Sequence, residues 1–228
     1  MQYNQRGERN LNVSALCLGT MPSGPPNTLS AAHQQLDYAI AQGVNFIDAA
    51  EMYPVPARAE TQGSTEAYIG EWLKKQQRDQ LIIATKIAGP GRGMKWLRDG
   101  TKMIGRDNIK QAVDGSLKRL QTDYIDLYQL HWPDRYVPIF GQTVYDSRRE
   151  RDTIPIAEQL SIFSELIHAG TIRYLGLSNE TPWGVCPFSN AAKQFGLPTI
   201  FSFQTSYTFI TQVCDSPLYN YSHPEQNF

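Results

Sequence analysis

The sequence predicts an α/β protein whose parallel strands form a TIM (β/α)8-type barrel, with about six of the eight strands encoded. Three observations predict this fold: short apolar segments alternate with amphipathic segments, the apolar segments are mostly continuous, and polar residues stand where they end. Continuous apolar runs are typical of strands covered on both faces. Alternation of strands and helices favours parallel strands joined by right-handed crossovers.

Composition and charge limit the class of protein. The chain has 228 residues, 41% hydrophobic and 19% charged, which is typical of a folded domain. The net charge of −1 gives no basic excess for binding nucleic acid, and no apolar run is long enough to predict a membrane span. Cys17, Cys186 and Cys214 are widely spaced and odd in number, which argues against a disulfide framework or a zinc site. Because the first twenty residues also lack the apolar segment of a secretory signal, we expect a cytoplasmic protein.

Six short apolar segments are the predicted strands, and each is followed by a turn or a helical pattern. Most are four to seven residues long, the usual length of strands in such folds. The predicted strands cover residues 15–18, 44–47, 81–84, 124–130, 174–177 and 199–203.

Five amphipathic segments between and after these strands are the predicted helices. Short polar side chains favour helix N-termini because they accept from the first free N–H groups. The predicted N-terminal residues of the first, second, third and fifth helices are Ser30, Ser64, Asp107 and Thr181. Gly170 is expected to end the fourth helix in a left-handed conformation. Pro187 is expected to kink or shorten the fifth helix, since proline lacks a backbone donor.

The first strand–helix turn favours a barrel over an open doubly wound sheet. Gly19-Thr20-Met21 and the residues that follow do not contain GxGxxG, the dinucleotide-binding pattern of the open sheet. Barrel enzymes instead carry catalytic residues at the C-terminal ends of several strands. The polar residues at these predicted ends are Asp48, Lys86, His131, Ser178, Asn179 and Gln204.

These residues are suited to the reduction of a carbonyl group. Tyr53 follows Asp48 on the same loop, and its hydroxyl, with an ordinary pKa near 10, is a weak acid at neutral pH. A neighbouring ammonium such as Lys86, held by Asp48, would lower that pKa. His131 could then orient the substrate carbonyl by donating a hydrogen bond. The neutral side chains at the last two predicted strand ends suit the carboxamide of a nicotinamide.

Taken together, these residues resemble an aldo-keto reductase. The resemblance rests on the ordered set Asp48, Tyr53, Lys86 and His131, and on Gly19-Thr20-Met21, Leu177-Ser178-Asn179 and Gln204. The segments 48–53, 116–120, 123–128 and 170–174 are similar to the Tas-like branch of that family, which is related to potassium-channel β subunits. The resemblance covers residues 1–207 as a partial barrel, followed by a divergent tail at 208–228.

The resemblance implies a barrel that binds NADPH (NADP) across its strand ends and reduces aldehydes or ketones. It implies that Tyr53 is the general acid, that Lys86 and Asp48 tune it, and that His131 orients the carbonyl. It also implies substrate contacts by Tyr53, His131 and Trp132, and no metal. The implied cofactor-binding residues are Gly19, Thr20, Met21, Asp48, Ser178, Asn179 and Gln204.

Full-length members of that family continue through two more strand–helix units, which hold the far end of the cofactor. We therefore expect the activity of this truncated chain to be impaired, and its open barrel edges to permit self-association. The alternative is a non-catalytic, partner-binding barrel fragment that resembles a channel β subunit. NADPH binding distinguishes the two hypotheses.

Overall fold

A computed structural model of the protein describes residues 1–6, 11–100, 102–142 and 144–207. The predicted tail at 208–228, with Cys214, therefore lies outside the described residues. The strands are β1 Tyr3–Arg6, β2 Leu11–Ser14, β3 Cys17–Gly19, β4 Phe46–Asp48, β5 Ile82–Ile87, β6 Ile125–Leu130, β7 Ile172–Ser178 and β8 Ile200–Gln204. The helices are α1 Leu29–Ala41, α2 Ser64–Leu73, α3 Arg106–Leu120, α4 Ile156–His168 and α5 Pro182–Phe195.

The main sheet contains the six predicted parallel strands. They pair in chain order from β3 to β8, so each strand lies beside the next one along the chain. Every pairing is parallel, and helices α1 to α5 lie in the connections between or after these strands. The fold is a partial TIM barrel, as predicted, and β3 and β8 are the edge strands of the described sheet.

An N-terminal hairpin, formed by β1 and β2, was not predicted. The two strands pair antiparallel from Tyr3↔Ser14 to Arg6↔Leu11. Asn45, just before β4, accepts from the Ser14 amide through its side-chain oxygen at 2.9 Å and donates to the Asn12 carbonyl at 2.8 Å. These bonds fix the hairpin to the N-terminal end of the sheet, the end opposite the predicted catalytic residues.

Two of the predicted helix starts are wrong. Thr28, not Ser30, caps α1, because its side chain accepts from the Ala31 amide at 3.1 Å. Helix α2 begins at Ser64, as predicted, after Gly63 in a left-handed conformation. Helix α3 begins at Arg106, so that Asp107 lies in its first turn and makes no cap. A short polar residue marks the region of a helix start, while the local backbone decides the cap.

The ends of the last two helices were predicted more accurately. Gly170 follows α4 with φ 75°, and Thr181 caps α5 by accepting from the Gly184 amide at 3.1 Å. Pro187 does not shorten α5, which continues to Phe195. Because Pro187 lies in the first half of the helix, the hydrogen bonds of the later turns are unaffected.

The main hydrophobic core lies between the sheet and its helices. Ile47, Ile83 and Tyr128 from the strands are fully buried with Ile69 and Phe163 from the helices. Cys17 is exposed, because it lies on edge strand β3. Within the part of the chain that the structure describes, no helix is long and apolar enough to cross a membrane.

Candidate active site

The parallel register brings the predicted polar residues to one end of the sheet. Asp48 is the last residue of β4 and pairs with Gly19 of β3. Ser178 and Gln204 end β7 and β8 and pair with each other. His131 directly follows β6, and its amide donates to the Ile87 carbonyl at the end of β5. The C-terminal ends of six strands therefore converge, as the barrel prediction required.

Asp48 and Lys86 form a buried ion pair at the centre of this end. Lys86 Nζ lies 2.5 Å from Asp48 Oδ2 and donates to the Ala49 carbonyl at 2.7 Å. The Lys86 side chain is 1% exposed. Gln204 donates to the same carboxylate oxygen at 3.2 Å, and Gln129 donates to the other at 2.9 Å. The Asp48 carboxylate thus connects β4, β5, β6 and β8.

Tyr53 is buried beside this pair and beside His131. The rings of Tyr53 and His131 meet edge to face with centroids 5.7 Å apart, and Lys86 Nζ lies 5.2 Å from the Tyr53 ring centroid. Burial, followed by the negative charge of Asp48, raises the pKa of the Tyr53 hydroxyl. The structure has no net lowering of this pKa, and the Lys86 ammonium is bonded to Asp48 and the Ala49 carbonyl, so the lowering by Lys86 stays a prediction.

His131 is buried and neutral at physiological pH. Burial, followed by the charges of Lys86 and Arg92, lowers the pKa of His131 well below its ordinary value. A neutral imidazole has one N–H donor and one acceptor nitrogen. Its Nδ1 is buried without a hydrogen-bond partner among the described residues. The ring therefore keeps hydrogen-bonding capacity at the site.

Ser178, Asn179 and Gln204 form a neutral polar group beside His131. Asn179 donates to the His131 carbonyl at 2.9 Å and to Ser178 Oγ at 3.0 Å, and Ser178 Oγ lies 3.5 Å from Gln204 Oε1. Asn179 has φ 51°, a left-handed conformation that asparagine adopts more readily than most residues. A non-glycine residue held in this conformation is common at binding sites.

The turn after β3 lies at the same end of the sheet. The amide and the hydroxyl of Thr20 both donate to the Asp48 carbonyl, at 3.0 and 2.8 Å. A Cβ atom added to Gly19 would meet no other atom within 4 Å, and the Met21 side chain is 48% exposed. This turn therefore presents open backbone next to Asp48.

Trp132 contacts His131, but its side chain is less exposed to solvent than expected for a residue that contacts the substrate. The two rings have centroids 4.9 Å apart. Trp132 is 3% exposed, and its indole N–H donates to the Pro90 carbonyl at 3.1 Å. It packs with Ala88, Met94 and Leu97 in a second, smaller core.

Two buried polar residues of the site were not predicted from the sequence. Gln129 lies inside β6 and binds Asp48, as described above. Glu51, which is 1% exposed, forms an ion pair with Arg98 and accepts from the Ala88 amide at 2.6 Å. A polar residue inside the apolar segment at 124–130 was the only signal for Gln129, and Glu51 had no signal beyond its position in the loop after β4.

Comparison with known proteins agrees with this geometry. A profile described as "Aldo/keto reductase family" matches residues 15–224. The chain belongs to the aldo/keto reductase family. It is 47% identical to Protein tas of Escherichia coli over 214 residues, which are 93% of this chain and 62% of that protein. It is 32% identical to norsolorinic acid reductase B of Aspergillus parasiticus, over 85% of this chain and 47% of that protein.

A solved member of the family has the same fold. The chain resembles a thermostable aldo-keto reductase, crystallised with the inhibitor epalrestat, with a TM-score of 0.70 and 28% identity. The likeness covers 94% of this chain and 66% of that one. This chain therefore spans less than two thirds of the length of these family members. The domain boundary at residue 207 and the individual roles of the site residues stay predictions.

Proposed function

We propose that this chain carries the reaction centre of an NADPH-dependent reductase that converts aldehydes or ketones to alcohols. The observation that carries the proposal is the convergence of Tyr53, His131 and the Lys86–Asp48 pair at one end of a parallel sheet. A phenolic proton donor, a neutral hydrogen-bond donor and a buried ion pair together suit the protonation of a carbonyl oxygen.

The residues present fit a nicotinamide cofactor. His131 Nδ1 is a buried polar atom without a partner in the described chain, and the space above Gly19 is open. The amide and hydroxyl groups of Ser178, Asn179 and Gln204 would hold a carboxamide, and Thr20 and Met21 would line the path beyond it. NADPH, when bound, supplies a hydride to the substrate carbon.

The protein's own residues would handle the carbonyl oxygen. His131 donates a hydrogen bond that orients the carbonyl, and Tyr53 gives its proton to the oxygen as negative charge develops there. Because its pKa is raised in the structure, Tyr53 keeps this proton throughout the physiological pH range. The Lys86 ammonium stabilises the phenolate once it has formed, and Asp48 holds that ammonium in place. Burial of all these groups excludes bulk water.

We also propose that the 228-residue chain alone binds NADPH weakly. In the resemblance on which the proposal rests, the remaining units supply an aromatic stack and contacts to the 2′-phosphate. Phosphate contacts contribute about 1.5–3 kcal/mol each, and a stack about 0.5–1.5 kcal/mol. Losing two contacts and the stack weakens binding by roughly 10²–10⁵-fold.

We also propose that the protein is cytoplasmic. The two unpaired cysteines of the described chain support this proposal, because free thiols are typical of a reducing compartment.

A fluorescence titration with NADPH tests both proposals. The 228-residue chain is compared with a fusion of residues 1–207 to the C-terminal part of Protein tas that follows the matched region. We expect micromolar binding by the fusion and submillimolar or weaker binding by the 228-residue chain. A dissociation constant below about 10 μM for the shorter chain would contradict the proposed impairment. A fusion that folds without binding NADPH would favour the non-catalytic, partner-binding alternative.

A further inference from the structure

A small cleft lies beside the candidate active site, between the loop after β5 and the loop after β6. Its volume is about 40 Å³, and Trp132 forms part of its wall. Four arginine side chains also line it: Arg92, Arg135, Arg149 and Arg151. Four positive charges around so small a volume repel one another unless they are paired, so the partners of each arginine decide whether the cleft could hold an anion.

Two of the four arginines are bound within the fold. Arg135 forms an ion pair with Glu180 and donates to Thr181 Oγ1 at 2.9 Å. Arg151 donates from Nε to the Asp134 carbonyl at 2.8 Å and from Nη2 to the Arg135 carbonyl at 3.2 Å. These bonds fasten the loop after β6 to itself and to the segment after β7, which gives the cleft a fixed wall.

Arg92 and Arg149 form no salt bridge among the described residues, and their close contacts are with aromatic and neutral groups. The Arg92 guanidinium lies 4.2 Å from the Phe140 ring centroid and 3.4 Å from the Ile139 carbonyl. Arg149 lies 4.6 Å from the Tyr136 ring centroid and donates to Gln142 Oε1 at 3.1 Å. Within the described chain neither forms an ion pair, whereas neighbouring Arg148 is paired with Asp146.

The guanidinium groups of Arg92 and Arg149 also repel each other. Partial burial, followed by the charge of Arg149, lowers the pKa of Arg92. Their mutual repulsion is relieved when an anion lies between them. Aromatic rings on one side hold each guanidinium plane and leave its N–H edge available to such an anion.

The cleft adjoins the reaction centre. Arg92 lies 5.9 Å from the Trp132 ring centroid, and the Trp132 and His131 rings are 4.9 Å apart. The indole ring of Trp132 therefore lies in contact with both Arg92 and His131. A substrate that extends past this ring from the carbonyl would bring a second polar group to Arg92.

We propose that Arg92 and Arg149 bind a carboxylate on the carbonyl substrate, so that the preferred substrates are acidic aldehydes or ketones. This inference rests on the proposed reductase function and names its substrate class. The planar fork of a guanidinium matches a carboxylate in two parallel hydrogen bonds. A water molecule needs about 10–15 Å³ by the same measure of volume, so the cleft accommodates the three heavy atoms of a carboxylate better than the five of a phosphate.

An NMR titration of the 228-residue chain tests the cleft without any cofactor. The probe is 4-(hydroxymethyl)benzoate, and its uncharged control is benzyl alcohol. At low ionic strength we expect saturable binding of the acid, with a dissociation constant on the order of 1 mM, and no saturation by the alcohol. Arg92→Gln and Arg149→Gln should each weaken binding about tenfold, because each removes a charge-assisted contact.

Arg148→Gln is the matched control, since it removes an equal charge from the residue next to Arg149. It should bind the acid within twofold of the unchanged chain. Equal affinity in all three variants, or no saturation by the acid in the unchanged chain, would overturn the inference. Inorganic phosphate that displaces the acid at lower concentration than benzoate does would overturn the assignment of a carboxylate. Circular dichroism of each variant confirms that it is folded.

Turnover by the fusion with Protein tas separates this inference from the proposed function. Arg92→Gln and Arg149→Gln should raise KM for 4-carboxybenzaldehyde about tenfold and leave kcat/KM for 4-nitrobenzaldehyde unchanged. Equal effects on both aldehydes would contradict a role in specificity. If the fusion reduces neither aldehyde, the reductase proposal fails, and the titration still decides whether the cleft binds carboxylates.

Discussion

Lys86 points its ammonium at Asp48, with Nζ 2.5 Å from Oδ2 and both groups buried. The same nitrogen lies 5.2 Å from the centroid of the Tyr53 ring. The lysine therefore neutralises the carboxylate first and acts on the tyrosine from a distance. Burial, followed by the negative charge of Asp48, raises the pKa of Tyr53 in the structure although a cation lies beside it.

Loss of either member of this pair should destabilise the fold. Lys86→Met leaves the Asp48 carboxylate buried without its cation, which costs about 3–5 kcal/mol of unfolding free energy. Asp48→Asn combined with Lys86→Met should cost less than the sum of the single variants, because no buried charge is left alone. Urea unfolding of the unchanged chain, of Asp48→Asn, of Lys86→Met and of the double variant measures this coupling. Lys110→Met, at an exposed position, is the control and should cost under about 0.5 kcal/mol. Strict additivity of the Asp48 and Lys86 changes would contradict the coupling.

Glu51 should stabilise the loop that carries Tyr53. Its carboxylate pairs with Arg98 and accepts from the Ala88 amide, so it connects the loop after β4 to the end of β5. Glu51→Gln keeps the shape and removes the charge, and we expect a loss of about 1.5–3 kcal/mol in urea unfolding. Glu60→Gln, an exposed position on the same loop, should change stability by less than about 0.5 kcal/mol. Equal effects of the two substitutions would show that Glu51 is not a structural anchor.

His131 should make the fold sensitive to acid. The folded protein holds the imidazole neutral, with a pKa well below the ordinary value of 6.5, so the unfolded chain binds more protons as the pH falls through that value. Its contribution to stability is therefore present at neutral pH and is lost as the pH falls below about 6.5. Urea unfolding at pH 8.0 and pH 5.5 should show a smaller loss in His131→Asn than in the unchanged chain.

The exposed residue His168 provides the matched control, because His168→Asn leaves the buried ring in place. That variant should lose as much stability between the two pH values as the unchanged chain. If His131→Asn loses the same amount as well, the buried imidazole is not the group responsible.

The sequence predicted the main sheet because most of its parallel strands are continuous apolar segments with a polar residue at the end. Asp48, Lys86 and His131 could be placed together, since the C-terminal ends of such strands always meet at one edge. The hairpin of β1 and β2 could not be found, because strands of four mostly polar residues carry almost no periodic signal.

The bonding within the site depends on tertiary contacts that no local pattern encodes. Gln129 is separated from Asp48 by 81 positions, and Gln204 by 156. Burial and the charge of Asp48 raise the pKa of Tyr53, and spacing along the chain does not determine how deeply its hydroxyl is buried. The sequence therefore predicted which residues meet, while the charge balance among them required the structure.

The most direct test of the account is the turnover number of Tyr53→Phe in the fusion of residues 1–207 with the C-terminal part of Protein tas. This variant removes the proposed proton donor and keeps the ring that packs against His131. With NADPH and 4-nitrobenzaldehyde, kcat should fall by roughly 10²–10⁴-fold, the usual contribution of general acid catalysis. Tyr128→Phe, which removes a buried hydroxyl that has no partner among the described residues, should keep kcat within about twofold. An unchanged kcat in Tyr53→Phe would contradict the account, because the carbonyl oxygen would then receive its proton from another group.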